Sequence, residues 1–396
     1  MKTEKITVNE LFSGIGAQIS ALERLGIPCE IKHTSDIDHN AVLAYASIHC
    51  GLTEELINTY TEYPTREEMA RQLTEINLGY DFQKNKPYNW YRFVNSKSKE
   101  LEKYWLANKL SRNLGDISKI DKLEYADFWT ISFCCQDISN AGKMKGFKLG
   151  SNTRSSLLWD NIKLLKQAVD SNNAPKYVMF ENVKNLVGHD NGNTFKVIIN
   201  ELEKEHYHVK YAVLNSMYYG NIPQNRERIY IVAFKDKSFF DNFNFPKPIE
   251  LTKQLSEVID FESQLDEKYY YRAGKFKSDV YEKLVEAMDD DKSVYQWRRR
   301  YVRKNQSGVI PTLTANQGEG GHNVCIIKTK YGIRKMTPRE CFNAQGFPNN
   351  FILPDRLSDS KLYKQAGNSV CVTVIQRIAE EILNAMKPGG NNNGNK

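Results

Sequence analysis

Over its first 235 residues the chain alternates short apolar runs with longer amphipathic stretches, and that rhythm restricts the fold more than any other feature. ITVNELF (6–12), EIKHTSD (30–36), DFWTISF (127–133), KYVMFEN (176–182) and RIYIVAF (228–234) have the length and the β-branched or aromatic content of strands. Helical spacing follows the first two: AQISALERLG stops at Gly26 with Pro28 just beyond, and NAVLAYASIH follows the second run. Strands that alternate with helices predict an α/β fold with a doubly wound, mostly parallel sheet. Hydrophobic residues make up 40% of the 396 positions, which supplies a core and excludes a disordered chain.

Two stretches leave this rhythm. Residues 51–110 are polar and rich in Tyr, Lys and Glu, with helical pieces at TREEMARQL and SKELEKYWLANKL. They read as an insertion between the second and third strands. From 244 to 330 the alternation is lost, and FPKP, the basic-aromatic run YQWRRRYVRK (295–304) and the Gly-rich NQGEGGHN (316–323) indicate a second, smaller domain. VTVIQRIAEEILNAMK (372–387) is a closing helix, and 391–396 read as a disordered tail.

Lys+Arg total 55 against 48 Asp+Glu, a net charge of +7 that permits a polyanionic partner. No run of about 18 apolar residues predicts a membrane span, and MKTEKITVNE lacks the apolar core of a secretory signal. The seven cysteines contain no C-x-x-C pair, so no zinc ribbon or other metal site is expected, and a reducing cytoplasm is the simplest setting.

Ligands of an open parallel sheet bind outside the carboxyl ends of its strands. Phe12-Ser13-Gly14-Ile15-Gly16 follows the first strand, Asp36 the second, Cys134-Cys135-Gln136 the third and Glu181-Asn182 the fourth, with Asp116 in LGDISKI. FSGIG alone fits an ordinary tight turn as well as a nucleotide site. With Asp36 and Asp116 it points to an adenosine-bearing cofactor.

Six motifs then carry a resemblance. LFSGIG resembles F-x-G-x-G, SFCCQDIS resembles a P-C-Q motif, and ENV (181–183) and QNRER (224–228, Q-x-R-x-R) match as they stand. RKMTPRECFNAQGFP (334–348) resembles a motif ending in Q-G-F-P, and AGNSV (366–370) matches G-N-S. Together they span residues 11–370 in the order found in cytosine-C5 DNA methyltransferases, the family this chain resembles. The insertion and the T-R-S-x-L-L-W stretch (153–159) are similar to those of mycoplasma-type CpG methylases.

The resemblance implies a Rossmann-like S-adenosylmethionine-dependent domain at 1–243 plus 356–390 and a target-recognition domain at 244–355. Phe12 would stack on adenine, and Ser13, Gly14, Ile15 and Gly16 would let the backbone approach the methionine part. Asp36 would accept the ribose hydroxyls and Asp116 the adenine amine. Ile37, Ile117 and Leu157 would line the site, and Asn368 and Ser369 would close it. Where the family carries Glu-Trp, this chain has Asp36-Ile37, which keeps the carboxylate and loses the aromatic contact.

Carbon 5 of cytosine is a poor nucleophile, and a thiolate adding to C6 makes it enamine-like. Cys135 takes that role in the resemblance; a cysteine can otherwise be a buried structural thiol. Glu181 would hydrogen-bond the ring N3 and the exocyclic amine, Arg228 would contact O2, and Arg226 and Gln224 would support the same wall. Cys134 stands where the family has proline and is read as a tolerated substitution. The glycine-rich segment with Gln136, Ser139, Lys143, Lys145 and Arg154 reads as a mobile cationic loop that closes over an extruded base. Arg298, Arg299, Arg300 and Arg303, with Thr312 and Thr314 of a T-L-T-A segment, are the expected contacts to double-stranded DNA. The implied setting is a monomer on the nucleoid of a prokaryotic cytoplasm, with a cognate restriction endonuclease by analogy. Rival readings are a tRNA cytosine-5 methyltransferase, whose C-F-T signature is absent here, an inactive DNA-binding homologue, and, from the Gly-rich turn alone, a nicotinamide dehydrogenase.

Overall fold

The computed structural model describes residues 5–81, 84–132, 157–275, 279–298, 300–317, 325–354 and 357–387. β1 (Ile6–Leu11), α1 (Ala17–Arg24), β2 (Cys29–Ser35) and α2 (His39–His49) begin the chain, followed by α3 (Glu54–Thr59), α4 (Arg66–Glu75) and α5 (Glu100–Leu110). Then come β3 (Phe128–Ile131), α6 (Leu157–Asp170), β4 (Tyr177–Val183), α7 (Asn193–Lys204), β5 (His208–Asn215), α8 (Ser216–Gly220), β6 (Gln224–Asn225), β7 (Glu227–Phe234) and α9 (Lys237–Asn242). The rest is α10 (Val280–Ala287), β8 (Tyr295–Trp297), β9 (Val302–Lys304), β10 (Ile310–Pro311), β11 (Cys325–Thr329), β12 (Gly332–Lys335), α11 (Pro338–Asn343), α12 (Asp359–Asn368) and α13 (Val372–Ala385).

Six strands form one sheet in the order β2-β1-β3-β4-β7-β5. The β1–β2, β1–β3 and β3–β4 pairs are parallel, so the carboxyl ends of four strands share one edge. β7 is antiparallel to both β4 and β5, so RIYIVAF runs against the strands beside it. β5 carries no clear apolar run, because it is an outer strand with much of its surface half-exposed. Beyond β2, Thr34 bridges Asn113 in parallel and brings the segment leading to Asp116 alongside.

The sheet is covered on both faces. On one, α1 packs against α13, whose Val374, Ile375, Ile378, Ala379, Ile382 and Ala385 recur at helical spacing and are all buried. Each fully buried isoleucine there contributes roughly 1.5–3 kcal/mol. On the other, Leu158, Ile162 and Leu165 of α6 and Phe195, Ile198 and Leu202 of α7 meet Trp129, Ile131, Val178, Phe180 and Ile231. The insertion has its own core, with Met69, Leu73, Trp90, Leu101 and Leu106 packed on Val42, Leu43 and Ala46 of α2.

A four-stranded sheet, β12-β11-β8-β9, makes the smaller unit. Tyr295, Ile326 and Ile333 pack there with Val280, Leu284 and Met288. Phe342, Phe347 and Phe351, inside the 244–355 stretch, belong to the same apolar cluster as Ile375 and Ile378 of α13. The two regions therefore share a core. β6 and β10 pair in parallel, which lays the T-L-T-A segment beside Q-N-R-E-R.

Candidate active site and nucleic-acid cleft

The turn after β1 places Phe12, Gly14 and Gly16 at positive φ of 57°, 54° and 77°. A Cβ built on Gly14 meets nothing within 4 Å, so a ligand has room to approach that backbone. One built on Gly16 lies 2.4 Å from the His49 ring, so that glycine serves packing. The Gly14 amide donates to Asp36 Oδ2 at 2.9 Å, and the Asp38 amide donates to Asp36 Oδ1 at 2.8 Å. Burial first, then the nearby Asp38 carboxylate, push Asp36 up to about 6. The Asn113 side chain clasps the Asp36 backbone, accepting from its N–H at 2.8 Å and donating to its carbonyl at 3.0 Å.

Asp116 is buried and caps the turn Ile117–Lys119. Its Oδ1 accepts from the Ser118 amide at 3.0 Å and hydroxyl at 2.8 Å, and its Oδ2 accepts from Asn77 Nδ2 at 2.8 Å. Phe12 and Leu157 pack against the cluster that holds Ile117, an apolar flank next to Asp116 in sequence. Ile37 accepts the Gly79 N–H at 2.6 Å through its carbonyl. Two acids, an apolar flank and an open glycine suit a nucleoside with a polar tail.

Glu181 near the end of β4 is 8% exposed, and its Oε1 lies 3.2 Å from Arg228 Nε on β7. Burial raises the Glu181 pKa, and Arg228 and Arg226 oppose that rise. A carboxyl in this balance can hold a proton or a hydrogen bond to a buried base.

Arg226 and Gln224 are buried staples. Arg226 donates to the carbonyls of Leu313 at 2.9 Å, Gly367 at 3.2 Å and Ser369 at 2.6 Å, and burial draws its pKa down to about 9. Gln224 donates to the Ala344 carbonyl at 2.6 Å and accepts from the Leu313 amide at 3.1 Å. Their hydrogen bonds tie Q-x-R-x-R to T-L-T-A, Q-G-F-P and G-N-S. A Cβ on Gly367 would sit 2.2 Å from the Thr314 carbonyl carbon, so the G-N-S glycine is demanded by contact. Asn368 ends α12 and Ser369 is its C-cap.

Cys135, Gln136, Ser139, Lys143, Lys145, Arg154 and Arg299 lie outside the described residues, as does Cys134. The described chain reaches Ser132, just past β3 and between β1 and β4, where its hydroxyl accepts from Gln18 Nε2 at 3.1 Å.

A cavity of about 720 Å³ opens between the two sheets, lined by Val183, Lys184, Asn185, Asn225, Glu227 and Arg228 on one side and residues 303–307, Pro311 and Thr312 on the other. Of the expected DNA contacts, Arg303 and Thr312 line it. Arg298 and Arg300 sit in the β8–β9 connection, and Thr314 bonds Asn316 instead. Lys184, Asn305, Gln306 and Ser307 line it too and carry no motif of their own. Lys184 immediately follows E-N-V, which is the only local signal for any of the four.

With this geometry in hand, comparisons with known proteins give one answer. Residues 77–384 match the family described as C-5 cytosine-specific DNA methylase. The chain is 50% identical over 275 residues to Type II methyltransferase M.Bsp6I of Bacillus sp. (strain RFL6), across 69% of this chain and 84% of that one. It is 33% identical over 387 residues to Type II methyltransferase M2.ScrFI of Lactococcus lactis subsp. cremoris, across 96% and 99%. Among solved structures it is similar to S. pombe Dnmt2 methyltransferase (TM-score 0.59, 18% identity, 96% and 98% covered). It is also similar to Entamoeba histolytica methyltransferase EhMeth (TM-score 0.56, 20% identity, 97% and 100% covered). At those identities the two structures show the fold alone. The chain belongs to the C-5 cytosine-specific DNA methylases and is a DNA (cytosine-5)-methyltransferase.

Proposed function

We propose that this enzyme takes one cytosine out of duplex DNA held in the cleft and methylates it with Cys135 as nucleophile, Glu181 and Arg228 as base-binding groups, and S-adenosylmethionine as methyl source. The observation that carries this is the pairing of buried Glu181 with part-buried Arg228 beside a cleft with basic residues on both walls. Cys135 Sγ bonds to C6, and the C5=C6 electron pair moves onto C5. Glu181 holds the proton at N3 and accepts from the exocyclic amine, while Arg228 donates to O2, so charge gained by the ring is offset. S-adenosylmethionine, when bound, supplies an electrophilic methyl group. Loss of the C5 proton to solvent returns the electron pair and expels the thiolate. Phe12, Gly14, Asp36 and Asp116 hold the nucleoside of the cofactor, with S-adenosylhomocysteine left after transfer.

Arg303, Lys184 and Thr312 face the phosphates, which fits a charge-driven approach to DNA. Similarity to Type II methyltransferases supports a cognate restriction endonuclease in the same cell. Among the described residues, no helix is long and apolar enough to cross a membrane. Our reading is a monomer in a prokaryotic cytoplasm, associated with the nucleoid.

The test is bisulfite sequencing of a random duplex library after incubation with enzyme and S-adenosylmethionine. Protection is expected at one cytosine within one short motif, lost in Cys135→Ser and retained in Cys134→Pro. A Cys135→Ser enzyme that still protects, or protection confined to a matched tRNA substrate, rejects the reading.

A further inference from the structure

The insertion is more than an ornament on α2, because its turn after α4 is bonded into both acid segments of the cofactor site. Gly79 donates to the Ile37 carbonyl at 2.6 Å, next to Asp36. The Asp116 amide donates to the Ile76 carbonyl at 2.9 Å, and a Cβ on Gly115 would lie 2.2 Å from that carbonyl oxygen. Between these contacts stands Asn77, whose Nδ2 donates to Asp116 Oδ2 at 2.8 Å.

A carboxylate offers about four acceptor directions. Ser118 takes two on Oδ1 through its amide and hydroxyl, and Asn77 takes one on Oδ2. Among the described residues one direction on Oδ2 remains, and Asn77 determines which. We propose that Asn77 is a positioning residue: it aims the last acceptor site of Asp116 at the 6-amino group of the cofactor's adenine, which makes the insertion a working wall of that site. This rests on the cofactor reading above.

Asn77 also follows the Ile76 C-cap of α4, with φ of 55°. Asparagine and glycine both suit that left-handed position after a helix. Helix ending therefore needs only the backbone, and glycine would serve it equally. The bond to Asp116 needs the side chain.

That difference supplies the test. Calorimetry measures the affinity of the full chain for S-adenosylhomocysteine and for S-inosylhomocysteine, in which a 6-oxo group replaces the amine. The wild type is expected to prefer the adenosyl compound by about 10- to 100-fold, the range for a hydrogen bond to a charged group. Asn77→Gly, which removes the side chain without backbone strain, is expected to cut that preference to under about 5-fold while the melting temperature stays within a few degrees. Asn77→Ala should lose the same preference and more stability, because alanine is strained at that φ. An Asn77→Gly chain that keeps the full preference overturns the assignment, as does a wild type that binds both compounds equally. A folded wild type that binds neither overturns the cofactor reading itself, and the two failures are told apart by that control.

Discussion

Replacing Glu10 by glutamine removes a carboxyl that lies one residue before the end of β1, just ahead of the glycine turn. Glu10 is fully buried. Its Oε2 accepts from the Tyr45 hydroxyl at 2.9 Å, and Oε1 has no partner among the described residues. Burial, opposed by His49 and the Tyr45 hydroxyl, raises its pKa from 4.5 to about 7. A carboxyl whose folded pKa is raised binds its proton more tightly in the fold than in the unfolded chain. Its stabilising contribution is complete below about 4.5 and is lost as pH rises through about 7. The gap of about 2.5 pH units, at about 1.4 kcal/mol per unit, limits the loss to about 3 kcal/mol. Between pH 5.5 and 8 the expected loss is about 2 kcal/mol. Glutamine keeps an acceptor for Tyr45 and carries no charge, so Glu10→Gln should abolish this component. Urea unfolding of both proteins at pH 5.5 and 8 reads it, because titrating groups that do not interact with Glu10 cancel in the difference. A wild type that loses no more stability than the variant over that interval refutes the reasoning.

Two further outcomes follow from the site. Gly14→Ala should fold with a cost of only about 1–2 kcal/mol from its left-handed φ, since the added Cβ meets none of the described residues, yet bind S-adenosylhomocysteine at least tenfold more weakly by calorimetry. Gly16→Ala, which drives into His49, should instead lose more stability, and unaltered affinity in Gly14→Ala would remove the turn from the cofactor site. Arg303→Ala should weaken binding to every duplex alike and lower the salt slope of affinity by about one, measured by fluorescence anisotropy across salt. A loss confined to one sequence would reassign Arg303 from phosphate to base.

The smaller sheet and the cavity wall were the least legible parts. β8 and β9 are three residues each, and Asn305, Gln306 and Ser307 have the composition of any surface turn. β5 is equally faint, because an outer strand with a solvated face needs no continuous apolar run. The roles of Gln224 and Arg226 depend on carbonyls more than eighty residues away, so no local pattern could separate a base-contacting arginine from a staple.

By itself the sequence determined the alternation of strands and helices, the acids and glycines at strand ends, and the motif set that marks the family. Periodicity and turn chemistry act over a few residues, and such features are written locally. Only the tertiary structure decided that β7 runs antiparallel, that Glu181 meets Arg228, that Arg226 faces backbone carbonyls, and that Asn77 of the insertion bonds Asp116. Each of these is a contact between distant segments. It is settled by which buried polar groups find partners once the core closes, since a buried donor or acceptor left alone costs about 1–3 kcal/mol.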